Sequence, residues 1–235
     1  MADNFCVSKL EWDSTFFSKN IGHLNFVDEG ANCSSSLMNF ELVQAKVFSE
    51  NYEKIDTLNR FGFLLAEGEM DFSMQLAEKG LNDLSGIKLA GMADNDQIRA
   101  IVENNFTMSR YRQPWFKANE RDSFYQLWAE KAIRGTFDDA CLIVKKGAVI
   151  KGFITIKVAN SIARIGLISV ASNFKQQGVG KSLLHMAVQY CQMHNVKQLL
   201  VATQLANTAA ISLYSKFGFS INTLSYWFYK THDPI

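Results

Sequence analysis

Ile168-Ser-Val-Ala-Ser-Asn-Phe-Lys-Gln-Gln-Gly-Val-Gly-Lys-Ser-Leu-Leu184 decides how this chain is read. It runs from a short apolar segment through a turn holding Gly178 and Gly180 into a helical pattern, with Leu184, Ala187, Val188 and Cys191 on one face. Strand, glycine turn and immediate helix bring several unpaired backbone N–H groups to one point. The first helical turn adds the positive end of the helix dipole. An anion suits such a point, and a diphosphate-bearing cofactor is its natural guest. Gly180-Lys181-Ser182 resembles the end of a Walker loop, but that loop needs glycine where Lys175 stands. A Rossmann fingerprint fails as well, because the glycine spacing is wrong and the preceding elements are hairpins.

Upstream, three strands follow one another closely: Ala140 to Lys145, Val149 to Val158 and Ala163 to Val170. They are joined at Lys146-Gly147 and Asn160-Ser161, and joins this short imply antiparallel neighbours. Downstream, Gln198 to Ala202 reads as a strand, Thr208 to Phe217 as a helix stopped by Gly218, and Ile221 to Lys230 as a last strand. Two helices precede the hairpins. One carries Ile98, Ile101, Val102 and Phe106 on a face, and the other runs from about Glu120 to Arg134 before Gly135. Between them lies the polar-aromatic connection Met108 to Phe116.

The first third reads as strand Leu42 to Val47, helix Glu53 to Phe61 with Gly62 as cap, and strand Phe63 to Leu76. Periodicity fades from about residue 77 to 86, which predicts a boundary between a unit at 1–82 and a larger one at 83–235. Leu58-Asn-Arg-Phe-Gly-Phe63 is echoed by Leu213-Tyr-Ser-Lys-Phe-Gly-Phe219, each between a helix and a strand. Either a common capping pattern recurs here, or the N-terminal part is a truncated relative of the C-terminal unit.

Basic residues (24) nearly balance acidic ones (23) and form no long run, which argues against polymeric nucleic acid as a partner. Cys6, Cys33, Cys141 and Cys191 make no CxxC pair, so structural zinc and a disulfide framework both lack support, and no metal is expected. The N-terminus lacks the pattern of a secretory signal and no window has a membrane-spanning length of apolar residues. A cytoplasmic protein is the resulting expectation.

The stretch 168–184 resembles the acetyl-CoA motif of the GNAT superfamily, [Q/R]-x-x-G-x-[G/A] after a strand, with Lys175 at the place usually held by Gln or Arg. Asn207 and Tyr214, before Phe217-Gly218-Phe219, resemble that family's second cofactor segment. The likeness covers roughly Ile87 to Lys230. It implies an α/β fold with a mixed, mostly antiparallel sheet flanked by helices, and an N-acetyltransferase using acetyl-CoA. More narrowly, Val43 to Lys46, Gly68 to Asp71, Ser109 to Trp115, Arg134 to Asp138 and Val201 to Gln204 resemble GNAT enzymes that acetylate a nucleotide-linked 4-amino-4,6-dideoxygalactose for enterobacterial common antigen. That likeness makes a nucleotide-linked amino sugar the expected acceptor and a homodimer the expected assembly.

By this resemblance, backbone groups of Ile168 and Val170, with Ser169 between them, hold the pantetheine arm. Amides of Gln177, Gly178, Val179, Gly180 and Lys181 take the pyrophosphate, with Lys175 and Ser182 beside them. Tyr214 is the candidate proton donor to the leaving thiolate; otherwise it is an aromatic anchor of its helix. Asn207 contacts the cofactor or simply caps a helix. For the acceptor, Arg110, Tyr111, Arg112 and Trp115 combine charge with planar rings, and Asp138 and Gln204 complete the expected set. No base for the amine is legible, although Asp138 and Glu69 are carboxylates in resembling stretches.

Overall fold

The computed structural model describes residues 5–27, 37–77, 87–103 and 105–231. In chain order its main elements are β1 (Phe5–Lys9), α1 (Glu11–Phe17), β2 (Ile21–Phe26), β3 (Leu42–Phe48), α2 (Tyr52–Arg60) and β4 (Leu64–Gln75). Then come α3 (Asn95–Val102), α4 (Ala118–Ile133), β5 (Ala140–Lys146), β6 (Val149–Ala159) and β7 (Ile162–Val170). The chain continues through α5 (Val179–Met193), β8 (Gln198–Gln204), α6 (Thr208–Phe217) and β9 (Ser220–Thr231). Every element expected from Leu42 onward is present within a few residues. β1, α1 and β2 had no counterpart in the sequence reading.

The strands form one sheet in the order β1-β2-β3-β9-β4-β8-β7-β6-β5. Only β2 with β3 and β7 with β8 run parallel; the other neighbours are antiparallel. Alternation along each strand sends side chains to opposite faces. On β5, Cys141 and Ile143 join a core with Ile98, Phe124 and Ala129 under α3 and α4. Ala140 and Leu142 join a second core with Leu183, Leu184 and Ala187 of α5 and Tyr214 of α6. A third cluster packs Leu58 of α2 against Val43, Ala45 and Phe228. Thus α2, α5 and α6 cover one face, and α1, α3, α4 and the segment 106–116 cover the other.

The boundary expected between residues 82 and 83 lies outside the described residues. Elements from both sides of it share the sheet, since β4 lies between β9 and β8. The echo noted in the sequence takes a definite form here. β3-α2-β4 and β8-α6-β9 have matching lengths, and β4 and β9 lie side by side, each pairing outward with the other unit's first strand. Asn51 and Asn207 cap the two helices through their side chains, and Gly62 and Gly218 end them with φ of 76° and 112°.

Cys6 is disulfide-bonded. This corrects the expectation drawn from cysteine spacing, because separation along the chain does not fix the distance between folded segments. Cys141 and Cys191 are free and buried. No helix among the described residues is long and apolar enough to cross a membrane.

Candidate active site

The parallel pairing of β7 with β8 runs only from Ile162↔Gln198 to Ile165↔Val201. Beyond Ile165, β7 stays with β6 as far as Val170 while β8 continues to Gln204 with β4. The two strands therefore part and leave a cleft. The parting coincides with an irregularity in the β6–β7 register between Ile154 and Ile156. Here Thr155 Oγ1 accepts the Leu167 N–H at 2.8 Å. Gly166 allows this approach, because a Cβ there would stand 2.4 Å from Asp138 Oδ2. Asp138 also accepts the Trp128 indole N–H at 2.8 Å. Burial pushes its carboxyl above the usual range, against hydrogen bonds from Thr155 and Trp128 that pull it down. Asp138 thus braces the point where the strands separate.

Ala171 N–H donates to Lys151 O at 2.8 Å. Alternation along that antiparallel ladder turns the backbone groups of Ile168 and Val170 away from β6, toward the cleft, while Ser169 faces β6. The loop at the mouth is equally open. Gln176 and Gly178 take φ of 61° and 78°. Among the described residues, the backbone N–H groups of Gln176, Gln177, Gly178, Val179, Gly180 and Lys181 find no hydrogen-bond acceptor. Left-handed residues flanking a helix start turn successive amides toward one point, the arrangement that suits phosphate oxygens. The side chains are occupied elsewhere. Lys175 Nζ donates to Asn105 Oδ1 at 2.9 Å, Gln177 to Asn173 O, and Ser182 Oγ to Gly178 O. Lys181 is exposed.

A Cβ on Gly180 would stand 3.0 Å from Leu213, so the loop lies against α6 beside Tyr214. Tyr214 is only 2% exposed, and its ring meets Phe72 edge-on at 5.5 Å. Burial raises its phenol well above the usual value, so it stays protonated at neutral pH. No hydrogen bond engages its hydroxyl among the described residues. It packs as an aromatic anchor of its helix. Asn207 Oδ1 accepts the Ala210 N–H at 3.2 Å, so the capping role is present.

Across β4 from the cleft, on the face covered by α1, α3 and α4, the sheet carries charge. Gln204 at the end of β8 pairs with Glu69, which pairs in turn with Ser225 of β9. Lys46 Nζ lies 2.5 Å from Glu69 Oε1 and 3.1 Å from Asp71 Oδ2. Arg164 reaches Asp71 Oδ1 at 3.1 Å, and Trp227 Nε1 donates to Glu69 Oε2 at 3.0 Å. Ser225 Oγ is buried without a partner among the described residues.

The expected acceptor residues divide here. Arg110 is sandwiched by Tyr111 and Trp227, 4.2 and 4.1 Å from their ring centroids. It donates to Gln44, Tyr229 and Tyr111 and lies 3.9 Å from Asp13. Burial among these groups pushes the Tyr229 phenol up to about 12, against the pull of Arg110. Tyr111 and Trp115 are 4% and 6% exposed and belong to the core. Arg112 is partly exposed and holds the Ala66 carbonyl at 3.0 Å.

Several residues of this face were not singled out from the sequence: Lys46, Asp71, Trp227, Tyr229 and Ser225. Their signal was present as polar or amphipathic pairs two residues apart along the strands, Gln44 with Lys46, Glu69 with Asp71, and Trp227 with Tyr229.

A parted parallel pair and a loop of unpaired amides that lies against the helix of Tyr214 frame the candidate site, and comparison with known proteins gives the family. Residues 104–219 match the acetyltransferase (GNAT) family. The chain is also 32% identical over 227 residues to dTDP-fucosamine acetyltransferase of Escherichia coli O6:H1, covering 95% of this chain and 97% of that one. The chain belongs to the GNAT family of N-acetyltransferases. As a GNAT protein it shares its fold with a tandem GNAT protein from the clavulanic acid biosynthesis pathway, at TM-score 0.58 and 11% identity over 92% of this chain and 76% of that one. It shares it also with the PaiA N-acetyltransferase of Thermoplasma acidophilum, solved in complex with coenzyme A. There the TM-score is 0.51, with 15% identity over 62% of this chain and 98% of that one. The GNAT match includes the amide loop, the cleft and α6; the likeness to the E. coli enzyme extends also over β3 and β4, which build the charged face.

Proposed function

We propose that this GNAT enzyme moves acetyl from acetyl-CoA to the amine of a nucleotide-linked amino sugar, dTDP-4-amino-4,6-dideoxygalactose, by direct attack in a ternary complex. The observation that carries this reading is the near full-length likeness to dTDP-fucosamine acetyltransferase. Its narrower signals, Val43 to Lys46, Gly68 to Asp71 and Val201 to Gln204, fall on β3, β4 and β8, of which β8 borders the cleft, β4 pairs with β8, and β9 stands between β3 and β4.

Acetyl-CoA, when bound, supplies the activated acyl carbon. The amides of Gln177 to Lys181 hold its diphosphate, with Lys175 and Ser182 at the rim. Backbone groups of Ile168 and Val170, on either side of Ser169, align the pantetheine arm as an added strand would be aligned. Asn207 turns its free amide toward the arm while its oxygen caps α6. Tyr214 gives its phenolic proton to the departing sulfur as the C–S bond breaks; a thiolate is less basic than a phenolate, so the step is completed by the proton that the attacking amine loses, which restores the phenol as the amide forms. Glu69, Asp71, Lys46 and Gln204 form the floor on which the sugar lies. Asp138 fixes the cleft from behind. We read residues 1–82 as a reduced copy of the GNAT unit without the phosphate loop, and the protein as a cytoplasmic homodimer serving polysaccharide assembly.

Thiol release from acetyl-CoA against a panel of nucleotide-linked 3-amino and 4-amino dideoxy sugars tests the reading. Turnover confined to a 4-amino member bears it out. Turnover only with peptide N-termini or small amines makes the protein a different GNAT enzyme, and coenzyme binding without any turnover makes it a silent acyl-CoA-binding module.

A further inference from the structure

Charge accounting on the acceptor face separates its cations into two groups. Lys46 is spent on Glu69 and Asp71, Arg164 on Asp71, and Arg110 on Asp13 and three neutral acceptors. Arg112 and Lys19 differ, because each is held by carbonyl oxygens alone. Arg112 donates to Ala66 O at 3.0 Å and Gln113 O at 2.9 Å. Lys19 Nζ donates to Trp115 O at 3.1 Å. Neither has a carboxylate within ion-pair distance among the described residues, and both are partly exposed.

The two cations converge on one residue. The Arg112 guanidinium lies 5.0 Å from the centre of the Trp115 ring, and Lys19 holds that residue's carbonyl while lying 5.3 Å from the Phe116 ring. The Trp115 indole N–H is buried and has no hydrogen-bond partner among the described residues. Lys19 ends the turn before β2, and Trp115 packs on Tyr229 near the end of β9. Register places the starts of β2 and β3 and the end of β9 at the same end of the sheet as Gln204. That is the end toward which β7 and β8 open. Ala66 lies three residues along β4 from Glu69, roughly 10 Å of extended strand.

We infer that Arg112 and Lys19 form the subsite for the diphosphate of a nucleoside-diphosphate-linked acceptor. Arg110, by contrast, is a positioning residue that ties Gln44, Tyr111 and Tyr229 together. An uncompensated guanidinium and an ammonium that both contact Trp115 suit two adjacent phosphate groups, and the guanidinium can donate in bidentate fashion. The span along β4 leaves room for a sugar ring, its amine at the cleft and its anomeric phosphate at Arg112. This inference rests on the nucleotide-sugar reading of the acceptor.

The test uses the full chain with Arg112→Gln and Lys19→Gln. Lys19→Gln keeps a donor for the Trp115 carbonyl and carries the test should Arg112→Gln fail to fold. With the nucleotide-linked sugar that is turned over, each variant should raise the acceptor KM about tenfold or more, leaving kcat and the acetyl-CoA KM within about twofold. Calorimetry with dTDP as probe should show binding to the wild type that weakens by the same factor in each variant. A wild type that turns over the nucleotide-linked sugar while both variants keep its KM unchanged overturns the inference. So does a wild type that binds no dTDP. The absence of turnover with any nucleotide-linked sugar, with dTDP still bound through Arg112 and Lys19, counts against the proposed acceptor and leaves the diphosphate subsite supported.

Discussion

Leu58 and Tyr214 stand at matching places in two strand-helix-strand units of the same layout, each buried on its helix four residues before the glycine that ends it. The two units differ there in chemistry. Leucine fills its place in the core without a dissociable proton, and only the second unit carries a phenol there.

Replacing Tyr214 by Phe keeps the ring and its contacts with Phe72 and Phe219. It removes only the hydroxyl. Turnover should fall about tenfold or more, with little change in acetyl-CoA affinity and a melting temperature close to that of the wild type. Steady-state thiol release with a parallel binding titration checks this. Unchanged turnover would leave Tyr214 as an anchor and nothing more.

Asn207 separates capping from cofactor contact. Aspartate at this position keeps the oxygen that accepts the Ala210 N–H but loses the amide donor and adds a negative charge near the coenzyme. Asn207→Asp should keep its thermal stability and bind acetyl-CoA more weakly. Asn207→Ala should lose about 1 kcal/mol of stability as well. Equal affinities in wild type and Asn207→Asp would restrict the residue to its cap.

Asp138 makes a pH prediction whose sign is fixed. Its folded carboxyl titrates above the ordinary value of 3.8, chiefly through burial. The native state therefore holds this proton more firmly than the unfolded chain does. The resulting stability is present in full below that value and is lost as pH rises through the raised one. Urea titrations from pH 4 to 7 should show the wild type losing ground to Asp138→Asn as pH rises. Parallel curves for the two proteins would count against it.

Much of this was legible because the C-terminal two thirds keep their periodicities clean. Hairpins joined at Gly147 and Asn160, the glycine stop at Gly218 and the apolar face of α5 each carry a local signal that the fold preserves. The start of the chain carries no such signal. β1, α1 and β2 are short, and Asp13 and Ser14 are buried only because Tyr111 bonds the first and the Ile21 backbone the second. Those partners are remote or lie across a turn, where periodicity is silent. The amide loop was readable for the opposite reason, since its chemistry is in the backbone and glycine announces it. The charged face is assembled from five strands, and its ion pairs, such as Lys46 with Glu69, join positions that are neighbours only after β3 and β4 have flanked β9. Arg110 and Arg112 look alike in sequence, and burial alone distinguishes the arginine that organises the core from the one that is left available.

The most direct measurement is diffraction from crystals of the full chain soaked with acetyl-CoA. Electron density should place the diphosphate within hydrogen-bond distance of the amides of Gln177 to Lys181, with the thioester between β7 and β8 beside the Tyr214 hydroxyl. Coenzyme seated elsewhere, or a loop that stays empty at saturating acetyl-CoA, would contradict the account.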